Sequence, residues 1–288
     1  MKKKHRRNEI SREMDRKYKR KIRKRKRILK FVRFILLTVL SLLTIVFLAL
    51  SPLFNISAIY VSGNSNYNNN EIIDVTNLII GNNWFRTNGL DLKSILLFRS
   101  IQAEKSIEEK CHYVKKATVR LNIPDGVNIT VTERQPYVIS PYSGANLLID
   151  VEGYILDSKQ EVSDYNLPVI HGLSFDNSRL GQALNAEDKK KFDMYKMVVE
   201  EINALDNDKV YDSDKAIYNV VDYIDVTDWD NIQIMLDGRV RVNLGNYKKI
   251  GNYRLSFLRE IFFNKLDETD KGYLDFTTGD APSFIPDK

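Results

Sequence analysis

The chain has 288 residues, 44 of them Lys or Arg and 38 Asp or Glu, with three His and a single Cys. One Cys excludes an internal disulfide, and so few His leave no room for a His-rich metal site. The net charge of +6 is unevenly placed: eighteen basic and three acidic residues precede residue 34, leaving 26 basic against 35 acidic beyond it.

Residues 1–33 form a basic arm. Ile10, Met14, Tyr18 and Ile22 recur every four residues among its cations, the pattern of a thin apolar stripe on a helix lying against an anionic leaflet. The stripe is narrow and the charge density high, so the expectation is a disordered tail held near a surface by charge.

Phe34–Phe54 follows, 21 residues without a charge. At about 1.5 Å per residue such a helix matches a hydrocarbon core of roughly 30 Å. The hydroxyls of Thr38, Ser41 and Thr44 are expected to return to the helix's own carbonyls. A cleaved secretory signal has a shorter basic region and an apolar core of roughly 7–15 residues, and Pro52 makes a poor neighbour for a cleavage site. The segment therefore reads as a permanent single span. The positive-inside rule puts the N-terminus in the cytoplasm and Asn55 onward outside. A basic arm tethered so close to a membrane is a poor candidate for nucleic-acid binding.

Residues 55–134 read as strand, helix, helix, strand, strand. Ile56, Ile59 and Val61 make the first strand, ended by Gly63-Asn64. Asn68–Asn70 caps a helix with Ile72, Thr76 and Ile79 on one face, closed by Gly81. Asp91 caps a second helix carrying Leu92, Leu96, Ala103 and Ile107. Two alternating strands follow, Ala117, Val119 and Leu121 inward on one and Val127, Ile129 and Val131 on the other, joined by Pro124-Asp125-Gly126. Cys111, near the end of the second helix, reads as a small buried side chain.

Residues 135–276 are richer in strands. Tyr137–Ser140, Asn146–Asp150, Tyr154–Asp157 and Leu167–Ile170 come first. A helix over Ala186–Leu205 is capped by Asn185 and turns Phe192, Tyr195, Val199 and Ile202 to one side. Val221–Val226, Ile232–Leu236 and Arg239–Leu244 are further strands, the last two joined by Asp237-Gly238, a strong hairpin signal. A helix over Tyr247–Asn264, a short strand Gly272–Phe276 and a Pro-containing tail, 277–288, complete the chain.

The ordered series carries a resemblance. Phe54-x-Ile56 with Ile59-x-Val61-x-Gly63-Asn64, directly after an apolar span, resembles the first strand of a POTRA domain. Ala117-x-Val119-Arg120 and Ile129-x-Val131-x-Glu133-Arg134-Gln135-Pro136 resemble its closing hairpin, and Leu148-Ile149-Asp150-x-x-Gly153-x-Ile155-Leu156 opens a second domain. The whole order resembles the FtsQ/DivIB family of bacterial cell-division proteins. That resemblance implies an α+β fold: one transmembrane helix, an extracytoplasmic POTRA domain (β-α-α-β-β) and a mostly antiparallel β domain with helices. It implies a non-enzymatic scaffold of the division machinery, at the septum, that joins FtsL and FtsB/DivIC-type partners and regulates septal peptidoglycan synthesis.

The residues offer little chemistry. Ser-x-x-Lys, Gly-x-Ser-x-Gly and His-Glu-x-x-His do not occur in the outer region, and His112 and His171 are isolated there. The pairs Asp206/Asp208 and Asp212/Asp214 suggest glycosidase carboxylates or a cation site, yet their Asn- and Ser-rich setting reads as a solvated loop. The expectation is no catalytic, cofactor or metal site and no small-molecule or nucleic-acid ligand. The rivals are a wall-active envelope enzyme and a POTRA-containing transport component, which ordinarily adds a β-barrel.

Binding remains. A last strand with Tyr273 and Asp275 on one face and Leu274 and Phe276 on the other either offers an unpaired edge to a partner strand or merely finishes the sheet. The family resemblance favours the partner reading for Tyr273, Leu274, Asp275 and Phe276, with Phe284 and Ile285 of the tail as weaker candidates. Arg120, Thr130 and Thr132 could serve as a contact surface of the POTRA-like block, and an ordinary wet face of the smaller sheet explains them equally well.

Overall fold

The computed structural model describes residues 2–89, 92–176, 178–208, 213–278 and 281–287. Its first element, α1 (Lys2–Ala49), is a continuous helix of 48 residues. The basic arm is thus helical, which corrects the expectation of a disordered tail. Lys and Arg are good helix formers, and no Gly or Pro interrupts the run. The side chains of the stripe Ile10, Met14, Tyr18 and Ile22 lie outside the described residues.

Within α1, Lys24–Ala49 is long and apolar enough to cross a membrane, and none of it is buried in the protein. Thr38 and Thr44 donate to the carbonyls of Phe34 and Leu40, both at 2.9 Å. The helix stops at Ala49, short of the expected Phe54. Pro52 disfavours helical geometry at Ser51, whose ψ is 160°, and Pro52–Phe54 becomes a single 3-10 turn. Apolar residues from Ile28 onward extend the greasy run at the other end.

After the span come β1 (Ala58–Ser62), α2 (Asn69–Asp74), α3 (Trp84–Asn88), α4 (Leu92–Leu97), α5 (Ile101–Lys110), β2 (Val114–Asn122) and β3 (Gly126–Glu133). The three strands form one sheet in the order β1-β3-β2. Buried residues on β2 and β3 alternate as expected, with Ala117, Val119 and Leu121 on one and Val127, Ile129 and Val131 on the other.

The helices depart from expectation. Asn68 does cap α2, in a reciprocal capping box with Glu71, but the helix lasts only to Asp74 and Ile79 is exposed. The expected second helix is broken: Phe98 takes φ 50°, Ser100 N donates to Val119 O, and Leu121 N to Phe98 O. Pairing with β2 outweighs helix propensity there, and Leu96 faces solvent. The proposed cap Asp91 lies outside the described residues.

By density of internal contacts the chain divides into two units. The first comprises Met1–Tyr60, Asn77–Gln102 and Val119–Ile129, and the second Val61–Thr76, Ala103–Thr118 and Thr130–Lys288. Buried side chains of the first include Ile56, Leu78, Trp84, Val127 and Ile129.

The second unit is built on a nine-stranded sheet. Its strands are β4 (Pro136–Tyr142), β5 (Ala145–Asp150), β6 (Ile155–Lys159), β7 (Val169–His171), β8 (Val221–Asp225), β9 (Ile232–Leu236), β10 (Val240–Gly245), β11 (Gly272–Asp275) and β12 (Ser283–Pro286). The spatial order is β12-β11-β10-β9-β8-β7-β4-β5-β6. Most neighbours are antiparallel; β4–β7, β7–β8 and β10–β11 are parallel.

Helices α6 (Ala186–Asp206) and α7 (Asn252–Asn264) supply side chains to the main core beside this sheet. Asn185 caps α6 by accepting from Glu187 N and Asp188 N, and Phe192, Tyr195, Val199 and Ile202 are all buried, as the spacing requires. Ile232, Ile234 and Leu236 of β9, Val240, Val242 and Leu244 of β10, and Leu274 of β11 complete that core. A smaller cluster joins Ile139, Leu148 and Leu156 to Tyr113.

Candidate functional site

The two edges of the large sheet differ. At the β6 edge, Ile155 N donates to Gln182 O at 2.9 Å and Gly181 N to Ile155 O at 2.9 Å, so residues 181–182 cover its start. At the other edge stands β12, paired only with β11 among the described residues. The strand Gly272–Phe276 is therefore not an edge: β10 flanks it on one side and β12 on the other. This corrects the expectation of an unpaired row on that strand. The row belongs to the tail strand, at Phe284 and Pro286.

Local chemistry explains how this edge forms. Asp237 (φ 52°) and Gly238 (φ 59°) make the β9–β10 hairpin, both in the left-handed region that such a turn requires. Arg239 then bonds the carbonyls of Asp267 and Asp270 at 3.0 and 3.1 Å while lying over the Phe262 ring at 4.4 Å. This holds the loop from α7 so that β11 enters parallel to β10, with Gly272 N donating to Arg239 O at 3.1 Å. Asp275 accepts from Thr277 N and Oγ1, at 2.8 and 2.7 Å, and turns the chain back.

The register sets which groups point outward. Gly272 N and Phe276 N bond toward β10, while Asp287 N donates to Lys271 O across the β11–β12 ladder. Bonding directions alternate along such a ladder. Ser283, Ile285 and Asp287 thus face β11, leaving the N–H and C=O of Phe284 and the C=O of Pro286 on the outer side. Pro286 has no N–H to present.

The side chains follow the pleat. Leu274 and Phe276 are buried, and Phe284 packs onto the same core. On the opposite face the cross-strand register lines up Tyr223, Met235, Arg241, Tyr273 and Ile285. Arg241 lies over the Tyr273 ring at 5.7 Å, and Ile285 is 56 % exposed. Beside this row run Gln233, Asn243, Asp275 and Ser283. Of the four expected contact residues, Tyr273 and Asp275 face this open side and Leu274 and Phe276 serve the core. The arrangement has a strand edge flanked by an aromatic-cationic row and a polar row, which suits main-chain pairing with side-chain selection.

Of the acidic pairs, Asp206 has a structural role. Asp206 accepts from Ile217 N and Tyr218 N, at 2.9 and 2.8 Å, and pairs with Arg259 at 3.1 Å in a buried setting. Asp212 lies outside the described residues. No group of three His, Cys, Asp or Glu able to hold a metal occurs among the described residues. His171 packs edge-on to Tyr223 at 4.7 Å, and Cys111 is a buried free thiol. Arg120, Thr130 and Thr132 are exposed on the smaller sheet.

Residues 54–134 match the family model of the FtsQ-type POTRA domain. The chain is 23 % identical over 268 residues to the cell division protein DivIB of Clostridium botulinum strain Hall, covering 93 % of this chain and 95 % of that one. It is 29 % identical over 170 residues to the DivIB of Clostridium acetobutylicum, covering 59 % and 60 % of the two chains. To the cell division protein FtsQ of Koribacter versatilis it is 26 % identical over 196 residues, covering 65 % and 52 %.

Proposed function

The chain belongs to the FtsQ/DivIB family, and from that premise we propose that it is a membrane-anchored cell-division protein that works as a scaffold without catalysis. It crosses the membrane once, N-terminus in the cytoplasm, with residues 55–134, 135–276 and the tail outside. Its partners are the FtsL and FtsB/DivIC-type proteins, and its role is to help place and license septal peptidoglycan synthesis. The smaller three-stranded module contributes to recruitment at the division site.

The observation that carries this reading is the outer edge of β12, unpaired among the described residues and flanked by Tyr273 and Ile285. A partner strand there gains main-chain bonds worth about 0.5–1.5 kcal/mol net each. Likeness to the cell division proteins DivIB and FtsQ supports the cell-division role, and the apolar run of α1 supports the anchor.

The test is a chain ending at Ala281, which removes β12 and spares Leu274 and Phe276 of the core. A cut at Lys271 would remove those two as well and confuse binding with folding. Capture of the FtsB/DivIC-type partner by the full-length protein, and its loss at Ala281 with unchanged circular dichroism, supports the edge. Equal capture by both chains refutes it. Protease added to intact protoplasts tests the topology: it should digest the portion beyond residue 55 and spare the basic arm.

A further inference from the structure

The first unit leaves large apolar side chains outside its core. Leu53 is 52 % exposed, Ile79 60 %, Ile80 62 %, Leu96 77 % and Leu97 55 %. Isolated exposed apolar residues are ordinary, but a gathered set marks a surface that something covers.

Three sets of contacts gather these residues at the end of α1. Asn83, itself buried, donates from Nδ2 to Ala49 O at 3.1 Å and Ser51 O at 3.0 Å, the carbonyls where the helix finishes. Ile56 N donates to Asn82 O at 2.9 Å, Gly81 N to Ile56 O at 2.7 Å, and Asn82 N to Ile79 O at 3.1 Å, which ties the Ile79–Ile80 loop to the same spot. The rings of Phe54 and Phe85 meet edge-on at 5.1 Å, and those of Phe85 and Phe98 at 6.3 Å, so the end of α4 lies two ring contacts from the helix exit.

The occupant follows from continuity. Leu50 and Leu53 prolong the apolar run of α1, and the chain's exit fixes where the bilayer boundary lies. Arg86, in a cleft shared with Leu50, Pro52 and Asn83, and Lys93 of the same unit are exposed cations suited to anionic headgroups. We propose that Leu53, Ile79, Ile80, Leu96 and Leu97 form a collar that inserts into the leaflet where α1 ends and seats the first unit on the membrane. Interfacial apolar faces of this kind sink about 5–10 Å into the headgroup–acyl boundary. The inference rests on α1 being the membrane anchor.

The experiment uses the full-length protein in vesicles of phosphatidylethanolamine and phosphatidylglycerol with brominated acyl chains. Trp229→Phe removes the exposed native indole and leaves buried Trp84 as baseline. Onto this background Val46→Trp reports the anchor, and Ile80→Trp and Leu96→Trp report the collar. Quenching at all three positions, with the collar reporters losing emission about twofold, is the expected result. Quenching at Val46→Trp alone overturns the collar and leaves the anchor standing. No quenching at Val46→Trp removes the anchor and the collar together. Weakened capture of the FtsB/DivIC-type partner by a folded Ile80→Asp, Leu96→Asp double variant, with the collar reporters unquenched, assigns the face to protein and overturns the lipid proposal.

Discussion

The ring of Phe284 occupies the space that a side chain at Gly272 would fill. A Cβ at position 272 would overlap the carbonyl oxygen of Ile285 and come within 2.8 Å of the ring. Gly272→Val should therefore push β12 away from β11 at a cost of about 1–3 kcal/mol, the usual range for overpacking. Hydrogen exchange checks it: the amides of Ile285 and Asp287 should lose protection while those of β9 and β10 keep theirs. Partner capture should fall in parallel.

Asn83 ties the exit of α1 to the N-terminus of α3, its Oδ1 accepting from Arg86 N at 3.1 Å. Asn83→Ala removes a helix cap and leaves the carbonyls of Ala49 and Ser51 short of a donor. The expected loss is about 1–2 kcal/mol. Spin labels on either side of Ser51 should gain mobility in the variant, and unchanged spectra would count against the clamp.

Asp206 and Arg259 are buried together, their side chains 8 % and 6 % exposed. Asp206→Ala removes one partner of a buried guanidinium and leaves the Ile217 and Tyr218 amides without their acceptor, and should cost about 1–3 kcal/mol in urea unfolding. A stable variant that had lost a hydrolytic activity would instead favour the wall-enzyme reading.

Glu133 provides a pH dependence with a definite sign. Burial pushes its carboxyl up, yet bonds from Ser65 and Asn66 outweigh this and hold it below the ordinary 4.5. Oε2 accepts four of them, from Ser65 N and Oγ at 3.1 and 2.7 Å and from Asn66 N and Nδ2 at 2.9 and 2.8 Å. A lowered native value means the stabilisation is complete above the unfolded carboxyl's 4.5 and fades as pH falls through the native value. Glu133→Gln should flatten that acid limb in thermal melts and leave the slope above pH 6 unaltered.

Much of the fold is written in local patterns. Asn185 followed by Phe192, Tyr195, Val199 and Ile202 predicts both the start and the buried side of α6, because a cap and a helical period are short-range facts. Asp237-Gly238 does the same for the β9–β10 hairpin. What stays hidden depends on distant partners. Phe98 breaks a helical run because β2 offers its neighbours better bonds. The strand Ser283-Phe284-Ile285-Pro286 is four residues with a Pro and has no signature of its own; it exists because Gly272 leaves room for Phe284. The edge of the sheet therefore lies one strand beyond Gly272–Phe276, at Ser283–Pro286 among the described residues.

Pro286 has a consequence beyond one partner. Growth of a sheet without limit, copy upon copy, needs a regular alternation of donors and acceptors along its border, and the imino ring interrupts that alternation after a single amide. The border can therefore pair with one short strand through Phe284 while resisting self-propagating fibril assembly.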